Sequence, residues 1–453
     1  MNRLTDRLTD RFASLKLFSL LMIRYVGIAA GGGLLLLLGL ASCASFDHHD
    51  HDHHDHHDHH DHDHHDDHHH DDHHHDDHDQ GRFLIYTNDG SLFVMDAGDG
   101  DLLAEFSGVL DPGAASVRVS STGEFGFVTH RETWETVIID SGYELEEHGD
   151  HYDLILHSPK LLHTVKTGAK PSHYASAMGH SIIYNDDHGT ISLFDEHFLR
   201  QRGSFETLPA RVDHGAPLIT GEALVVGYLN QPEIDVIGFD GTVRQTLSGG
   251  SRIHGQARIG RYLAFGALEG IVLLTYDRNA AAGLRYSSTI LPYPENSPEG
   301  ARCGHLRSHV LVPHFIGRME SALITIDPVS GSQKLHPVPA GFRQFDFDQT
   351  GRYLVVLGED GVLYSVDPHT LEMKGSVPLV HSNNYYSAEN MPLPVLSMGK
   401  AHAYVSEPAA GTILVVDLDH MEVEHEFPLD QTAPAGQGRI GSFSLMFTEG
   451  VIH

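Results

Sequence analysis

The sequence predicts an all-β chain folded as a single β-propeller, with eight four-stranded blades closed into a ring by a C-terminal strand. Two features support this fold class. From Arg82 onward, short β-rich runs alternate with Gly, Asn and Asp turns, and no long amphipathic helical pattern appears. One strand phrase also recurs at a regular interval, as expected when each repeat forms one blade.

The recurring phrase is an apolar strand that ends in Asp. Its first Asp is Asp96 and its last is Asp417, so seven intervals cover 321 residues with a mean of about 46. A spacing of this size fits a four-stranded blade. The eight occurrences are Leu92–Asp96, Val137–Asp140, Ile191–Asp195, Ile234–Asp240, Ile271–Asp277, Ala322–Asp327, Val362–Asp367 and Ile413–Asp417.

Most repeats also contain a strand of small or polar residues that ends in Gly, which is typical of the crowded strand beside a central channel. The first repeat lacks this strand, and a matching strand begins at Ile440, after the last repeat. Pairing the two ends would close the ring and remove exposed sheet edges. Seven blades remain the alternative if the irregular region 278–320 contains no blade. The predicted innermost strands are Ala115–Gly123, Ser172–Gly179, His214–Gly221, His254–Gly260, Arg343–Gly351 and Leu393–Gly399.

Residues 1–42 have the pattern of a lipoprotein-type signal peptide. Basic residues precede an apolar run from Val26 to Leu40, which is too short to span a bilayer comfortably. The run leads into the letters LASC, which end at Cys43 and resemble the bacterial lipobox. We therefore expect a periplasmic protein anchored to a membrane by lipid on Cys43. The alternative is ordinary cleavage after Ala44, which would release a soluble protein.

Residues 43–81 form a second predicted region, a disordered His/Asp-rich tail that precedes the propeller domain at 82–453. Positions 47–79 consist only of 19 His and 14 Asp, so this segment has no apolar surface to bury. Imidazole and carboxylate groups bind zinc and related divalent ions, which predicts several weak, rapidly exchanging sites. A solvated acidic spacer is the alternative.

The net charge excludes some partners. The chain carries −33 at neutral pH, and without the 14 Asp of the tail the rest carries −19. A surface of this sign disfavours nucleic acid and anionic lipid headgroups and attracts cations. We therefore expect zinc ions as a partner, no nucleic acid, and membrane association only through the lipid anchor.

Three histidines occupy equivalent places in three successive repeats. His173, His214 and His254 each stand at or beside the start of an innermost strand, so they should converge at one mouth of the channel. Three imidazoles could supply three ligands of a tetrahedral zinc, with a carboxylate or water as the fourth, and Asp213 is the nearest carboxylate in sequence. The alternative is that these histidines only cap strand ends. The next repeat opens with the letters CGH at residues 303–305, which are further candidates for ligands or for their hydrogen-bond partners.

A second group of candidate ligands lies in an insertion that lengthens one repeat interval to 55 residues. It contains His148, Asp150 and His151, and a dense His/Asp loop suits transient metal capture. Plain solvation of the loop is the alternative. The insertion follows the third strand of its blade and should therefore lie at the opposite face from the strand-start histidines, which favours two separate sites.

Taken in order along the chain, these motifs resemble the AztD-type periplasmic zinc metallochaperones. The resemblance spans about residues 82–453. It rests on five motifs: His148-Gly-Asp-His-Tyr, Ser158-Pro-Lys-Leu-Leu, Lys170-Pro-Ser-His, Asp213-His-Gly and Ile253-His-Gly-Gln-Ala.

The resemblance implies a β-propeller that binds periplasmic zinc and passes it directly to the solute-binding protein of a zinc ABC importer. It points to six ligands, namely His148, Asp150, His151, His173, His214 and His254. The chain departs from the family pattern at Asp153 and Asp213, where a further His would be expected. Its lipobox also implies anchoring in place of a soluble carrier.

The residues favour a metal-binding protein over an enzyme, because the sequence contains no nucleophile elbow, P-loop or HExxH motif. Propellers host unrelated functions, so two alternatives stay open. One is a copper-dependent redox enzyme built on the channel histidines, as in nitrous-oxide reductase. That family also has a copper domain with paired cysteines, whereas this chain has only Cys303 besides the lipobox cysteine, Cys43. The other is an interaction scaffold whose tail buffers metal.

Overall fold

The structure is a computed structural model that describes residues 81–147, 149, 152–379, 392–429 and 439–446. The predicted signal peptide, Cys43 and the tail up to residue 80 lie outside these residues, as do three predicted insertion ligands, His148, Asp150 and His151. Within the described ranges, the regular structure is β-strand apart from one 3-10 turn at Glu196–Phe198. No helix in these ranges is long and apolar enough to cross a membrane.

The strands form eight four-stranded antiparallel sheets and one two-stranded hairpin, which confirms the predicted eight-bladed propeller. The first four blades are β34 (Ile440–Met446), β1 (Arg82–Thr87), β2 (Leu92–Asp96) and β3 (Leu102–Phe106); β4 (Ala115–Val119), β5 (Phe125–His130), β6 (Glu135–Asp140) and β9 (Lys160–Lys166); β10 (Pro171–Ala177), β11 (His180–Asn185), β12 (Thr190–Asp195) and β13 (Glu206–Pro209); and β14 (Gly215–Ile219), β15 (Ala223–Tyr228), β16 (Glu233–Gly238) and β17 (Val243–Ser248).

The last four blades include the region 278–320, where the number of blades was uncertain from sequence. They are β18 (Gln256–Ile259), β19 (Tyr262–Gly266), β20 (Gly270–Tyr276) and β21 (Tyr286–Pro292); β22 (His305–Arg307), β23 (Phe315–Met319), β24 (Ala322–Ile326) and β25 (Gln333–Pro337); β26 (Phe342–Phe347), β27 (Leu354–Gly358), β28 (Val362–Val366) and β29 (Met373–Pro378); and β30 (Leu396–Met398), β31 (His402–Glu407), β32 (Thr412–Asp417) and β33 (Glu422–Pro428).

The ring closes as predicted, because the C-terminal strand β34 pairs antiparallel with β1, from Arg82 opposite Met446 to Thr87 opposite Ile440. The strand pairing of the propeller therefore needs no residue before Gly81. The innermost strands all begin at one end of the channel, which we call the upper mouth. Since β1 runs against β34, the chain enters the propeller at the opposite, lower face.

The hydrophobic core lies between neighbouring blades. One cluster joins the third and fourth blades through Tyr184, Leu224 and Tyr228, all fully buried. The branched and aromatic residues of the middle strands pack face to face with the next blade, which gives each strand two buried faces. This packing fixes the angle between blades and hence the positions of side chains at the upper mouth.

The insertion forms the two-stranded hairpin of β7 (Tyr143–Glu147) and β8 (Tyr152–Leu156) between β6 and β9. The Arg82 guanidinium donates to the carbonyl oxygens of Ser141 (2.5 Å) and His157 (2.8 Å), at the two ends of the hairpin. Because Arg82 begins β1 at the lower face, the hairpin leaves the propeller there. The predicted separation of the insertion from the strand-start histidines is therefore correct for its described flanks.

Candidate metal centre

His173, His214 and His254 come together at the upper mouth, as the repeat positions predict. Their ring centroids are 4.5 Å (173 to 214), 5.1 Å (173 to 254) and 5.4 Å (214 to 254) apart. One nitrogen from each ring lies within 4.8 Å of the others, and in the described part of the chain this is the one group of three or more possible metal ligands that meets this distance. The rings line a channel cavity of about 1590 Å³, through which an ion can reach them.

Local backbone features direct these side chains inward. His173 lies where a bulge interrupts the pairing of β10 with β11, between Pro171 and Tyr174, and bulges re-aim side chains. His214 directly precedes β14, and His254 stands two residues before β18. Each imidazole therefore projects from the first residues of its innermost strand or from the residues just before it.

Two glycines, Gly215 and Gly255, permit the close packing around the cluster. Gly255 has φ of +81°, and a side chain there would meet the Gly304 carbonyl oxygen at 2.6 Å. A side chain at Gly215 would lie 2.4 Å from the buried Tyr184 ring. Larger residues at these positions would displace the backbone that carries His254 and His214.

The hydrogen bonds around the cluster set which ring nitrogens are free. His214 Nδ1 lies 2.9 Å from Asp186 Oδ2, and His254 Nδ1 lies 2.8 Å from the Gly304 carbonyl oxygen. Both partners are acceptors, so both Nδ1 atoms carry the proton and both Nε2 atoms keep a lone pair. His173 Nε2 lies 2.9 Å from His214 Nε2, so we assign the proton of this bond to His173. Binding of a metal ion through His173 Nε2 would require this proton to move to Nδ1 of the same ring.

Asp186 is the carboxylate that contacts the cluster, and the sequence analysis missed it. Its Oδ2 also accepts from Arg131 (2.8 Å), and its Oδ1 accepts from Ser172 (2.5 Å). Burial opposes ionisation of Asp186, but the hydrogen bonds from His214, Ser172 and Arg131 outweigh it and lower the pKa of the carboxyl. An ionised carboxylate behind a ligating histidine orients the ring and strengthens its lone pair. Asp186 follows β11, whose end faces the upper mouth, so a survey of second-strand turns would have found it.

Asp213, the carboxylate expected from sequence, is not part of the group of possible ligands that the three histidines form. Its oxygens accept from the backbone N–H of His214 (2.7 Å) and from both the backbone and side-chain N–H groups of Asn230 (2.9–3.1 Å). The Asp213 carboxylate therefore holds the loop that leads into β14. Adjacency in sequence placed it beside the backbone of His214 and not beside its ring.

The surroundings of His173 and His254 favour the neutral form of the imidazole, which is the form that binds metal. Burial, and then the neighbouring His214 and His254, lower the pKa of His173 to about 3. Burial also lowers the pKa of His254, in part offset by its bond to Gly304. Neutral rings have a free lone pair at physiological pH, so metal binding displaces no ring proton from an imidazolium.

The two candidate ligands of the CGH segment, Cys303 and His305, lie in different surroundings. The Cys303 side chain is fully buried and its thiol donates to the His305 carbonyl oxygen at 3.4 Å. Burial raises the pKa of the Cys303 thiol to about 12, which disfavours the thiolate that metals bind. His305 is the first residue of β22, and its ring centroid lies 5.9 Å from that of His254.

The fold and this cluster define the chain as an eight-bladed β-propeller with a candidate three-imidazole metal centre at one mouth of its channel. No protein-family model matches the chain. The zinc chaperone AztD of Citrobacter koseri is 26% identical over 364 residues, which cover 77% of this chain and 84% of that protein. The chain is therefore similar to a zinc chaperone across most of the propeller.

Solved structures show the same likeness. A crystal structure of Citrobacter koseri AztD has a TM-score of 0.71 and 25% identity, and the structure of apo AztD has 0.70 and 24%; each covers 82% of this chain and 99% of the solved chain. These similarities confirm the resemblance to AztD-type proteins inferred from the motifs. The dihydro-heme d1 dehydrogenase NirN shares the fold alone, with 12% identity, a TM-score of 0.56, and coverage of 80% of this chain and 74% of that one.

Proposed function

We propose that the protein is a periplasmic zinc metallochaperone that binds one zinc ion at the upper mouth and passes it to the solute-binding protein of a zinc ABC importer. The observation that carries the proposal is the convergence of three imidazoles from three blades. Their ring separations suit one small ion, because tetrahedral Zn–N bonds of about 2.0–2.1 Å place imidazole centroids about 5 Å apart. The similarity to proteins named as zinc chaperones supports zinc as the ion.

The proposed ligands are His173, His214 and His254. Asp186 acts through His214 as a positioning residue, since its carboxylate fixes the ring proton on Nδ1. The Gly304 carbonyl does the same for His254. Neutral nitrogen ligands do not cancel the charge of the bound ion within the cluster, and this favours later release of the ion to another protein.

The regions outside the described residues have proposed roles that follow from their chemistry. The His/Asp tail at 47–79 would capture several ions weakly and raise the local zinc supply. Lipid on Cys43 would keep the protein at a bacterial membrane. The insertion residues His148, Asp150 and His151 would form a second, exchangeable site at the lower face, separate from the upper mouth.

A zinc delivery assay tests the proposal. The zinc-loaded protein is mixed with the metal-free solute-binding protein, and the rate of zinc arrival is compared with the rate at which a chelator removes zinc. If transfer is direct, the rate of zinc arrival on the solute-binding protein should rise with the concentration of that acceptor. It should also exceed the rate at which zinc dissociates into the chelator. A transfer rate equal to that dissociation rate would contradict a chaperone role and leave a zinc-binding scaffold.

Substitutions assign the sites in the same assay. Single His→Ala changes at 173, 214 or 254 should abolish tight loading, whereas His336→Ala should not, because His336 lies on the outer strand β25 and bonds to Thr325. Joint replacement of the three insertion ligands should slow delivery more than it weakens equilibrium binding. Tight copper binding in place of zinc would instead favour the redox alternative.

A further inference from the structure

We propose that His305 is the fourth protein ligand of the ion held by the upper-mouth histidines, so that zinc is bound in a closed shell of four imidazoles. This inference rests on the proposed zinc function and adds a ligand from a fourth blade. Four observations support it: the position of His305 in the repeat, its distance from His254, an unpartnered ring nitrogen, and the occupation of the other candidate groups.

The position repeats around the ring. His173, His214, His254 and His305 stand at the beginnings of β10, β14, β18 and β22, the innermost strands of four successive blades. The innermost strands of neighbouring blades contact one another, including β18 with β22. Side chains at equivalent starts therefore face the same mouth, and His305 lines the same channel cavity as the other three rings.

The His305 ring lies close to one of the three rings, although its nitrogens stay outside the 4.8 Å group that those three rings form. Imidazoles on one tetrahedral zinc have centroids about 5 Å apart, and His305 lies 5.9 Å from His254 with an interplanar angle of 70°. The two residues are coupled through the backbone, because the Gly304 carbonyl accepts from His254 Nδ1 at 2.8 Å. Closing of the shell would move His305 toward an ion whose position His254 already helps to set.

The His305 ring also has a nitrogen that lacks a hydrogen-bond partner. Its Nδ1 is buried and has no hydrogen-bond partner among the described residues. A buried polar atom left without a partner costs about 1–3 kcal/mol and calls for an explanation.

Three other candidate ligands near the cluster, Asp186, Asp213 and Cys303, are already engaged. The Asp186 carboxylate bonds to the outer nitrogen of His214, and Asp213 bonds to backbone and amide N–H groups. The Cys303 thiol is buried, protonated and bonded to a carbonyl oxygen. Of these groups, His305 is the one with a free donor atom.

A closed shell has a functional consequence. Four protein ligands keep water off the ion and hold it tightly, whereas an open fourth position would bind water or small anions. Release to an acceptor would then proceed by exchange, with one ligand of the acceptor replacing His305 while the other three still hold the ion. His305 is the natural ligand to leave first because its ring lies farthest from the cluster.

Cobalt spectroscopy tests the inference on a chain that starts at Gly81 and so lacks the tail. Co²⁺ is bound at one equivalent, and azide is added while the visible d–d absorption is recorded. In the unsubstituted protein, azide should leave the spectrum unchanged because no position is open. In His305→Ala, azide should shift the absorption bands. The zinc affinity of this variant should fall by more than about 10-fold, because loss of a mere outer hydrogen-bond partner of a ligand already lowers affinity by about that factor. His305→Asn should behave like His305→Ala.

The control is His336→Ala, which removes a histidine from the outer strand of the same blade and should leave the protein insensitive to azide. An azide-dependent shift in the unsubstituted protein would overturn the inference without any variant, because it shows water at the fourth position. Unchanged zinc affinity in His305→Ala would also overturn it. If Co²⁺ does not bind at all, the proposed zinc function itself fails, which is a separate result.

Discussion

Replacing Asp186 by Asn probes how strongly the surroundings of the cluster tune its ligands. The change keeps the size of the side chain but removes the negative charge 2.9 Å from His214 Nδ1. It also weakens the bonds from Arg131 and Ser172, which hold the carboxylate in place. The His214 ring would then lose both its charged acceptor and the factor that fixes its proton on Nδ1.

The size of the effect follows from the distances. Asp186 Oδ2 would lie about 6.5 Å from an ion on His214 Nε2, given Zn–N bonds of about 2.0–2.1 Å. A unit charge and a dication at that separation interact by about 1.3 kcal/mol in water and about 5 kcal/mol at an effective dielectric constant of 20. Arg131 offsets part of this attraction. We therefore expect a loss of about 10–100-fold in zinc affinity, the range for such outer partners, or about 1.4–2.8 kcal/mol.

A competition titration against a chromophoric zinc chelator measures this change on the chain that starts at Gly81. The matched control is Asp187→Asn, the same substitution at an exposed neighbouring position. Asp186→Asn should keep its far-UV circular dichroism, because strand pairing closes the ring independently of this residue. If Asp186→Asn binds zinc as tightly as Asp187→Asn, the Asp186 carboxylate does not tune the zinc affinity of the site.

Three further predictions concern the anchor, the tail and the response to acid. Cys43→Ala should move the protein from the membrane to the soluble or unprocessed fraction, and an unchanged distribution on cell fractionation would show that the lipobox is misread. Deletion of residues 47–79 should remove several weak zinc equivalents in calorimetry and leave the melting temperature unchanged, since the segment has no apolar surface to add to a core. Acid should destabilise the metal-free propeller. His173 has an ordinary pKa of 6.5 in the unfolded chain and a pKa of about 3 in the folded chain. The contribution of the neutral His173 ring to the free energy of unfolding is therefore complete above pH 6.5 and is lost as the pH falls toward 3. His173→Gln should accordingly lose less melting temperature between about pH 7 and about pH 4 than the unsubstituted protein, and equal losses would contradict the cause assigned here.

The repeats made most of the fold predictable. Each Asp-ending phrase is the third strand of a blade, because the spacing of the repeats is visible in the sequence itself. The strand at Ile440 closes the ring as expected, because it supplies the innermost strand that the first repeat lacks. The strand-start histidines were found for the same reason. A position in the repeat fixes a position in the ring.

The groups that tune the cluster were not predictable in the same way. Asp186 and the Gly304 carbonyl reach His214 and His254 across the boundary between blades, and their sequence separations from those histidines are 28 and 50 residues. Proximity in sequence instead suggested Asp213, whose carboxylate turns back to the His214 backbone. Contacts between blades depend on the angle at which the sheets pack, which the repeat pattern alone does not specify.

The most direct test of the account is a zinc titration of the chain that starts at Gly81, performed beside the same chain with Ala at positions 173, 214 and 254. We expect one tightly bound zinc in the first protein and none in the second, with both giving the same far-UV spectrum. If the triple variant still holds one zinc as tightly, the tight site lies elsewhere in the propeller and the upper-mouth assignment is contradicted.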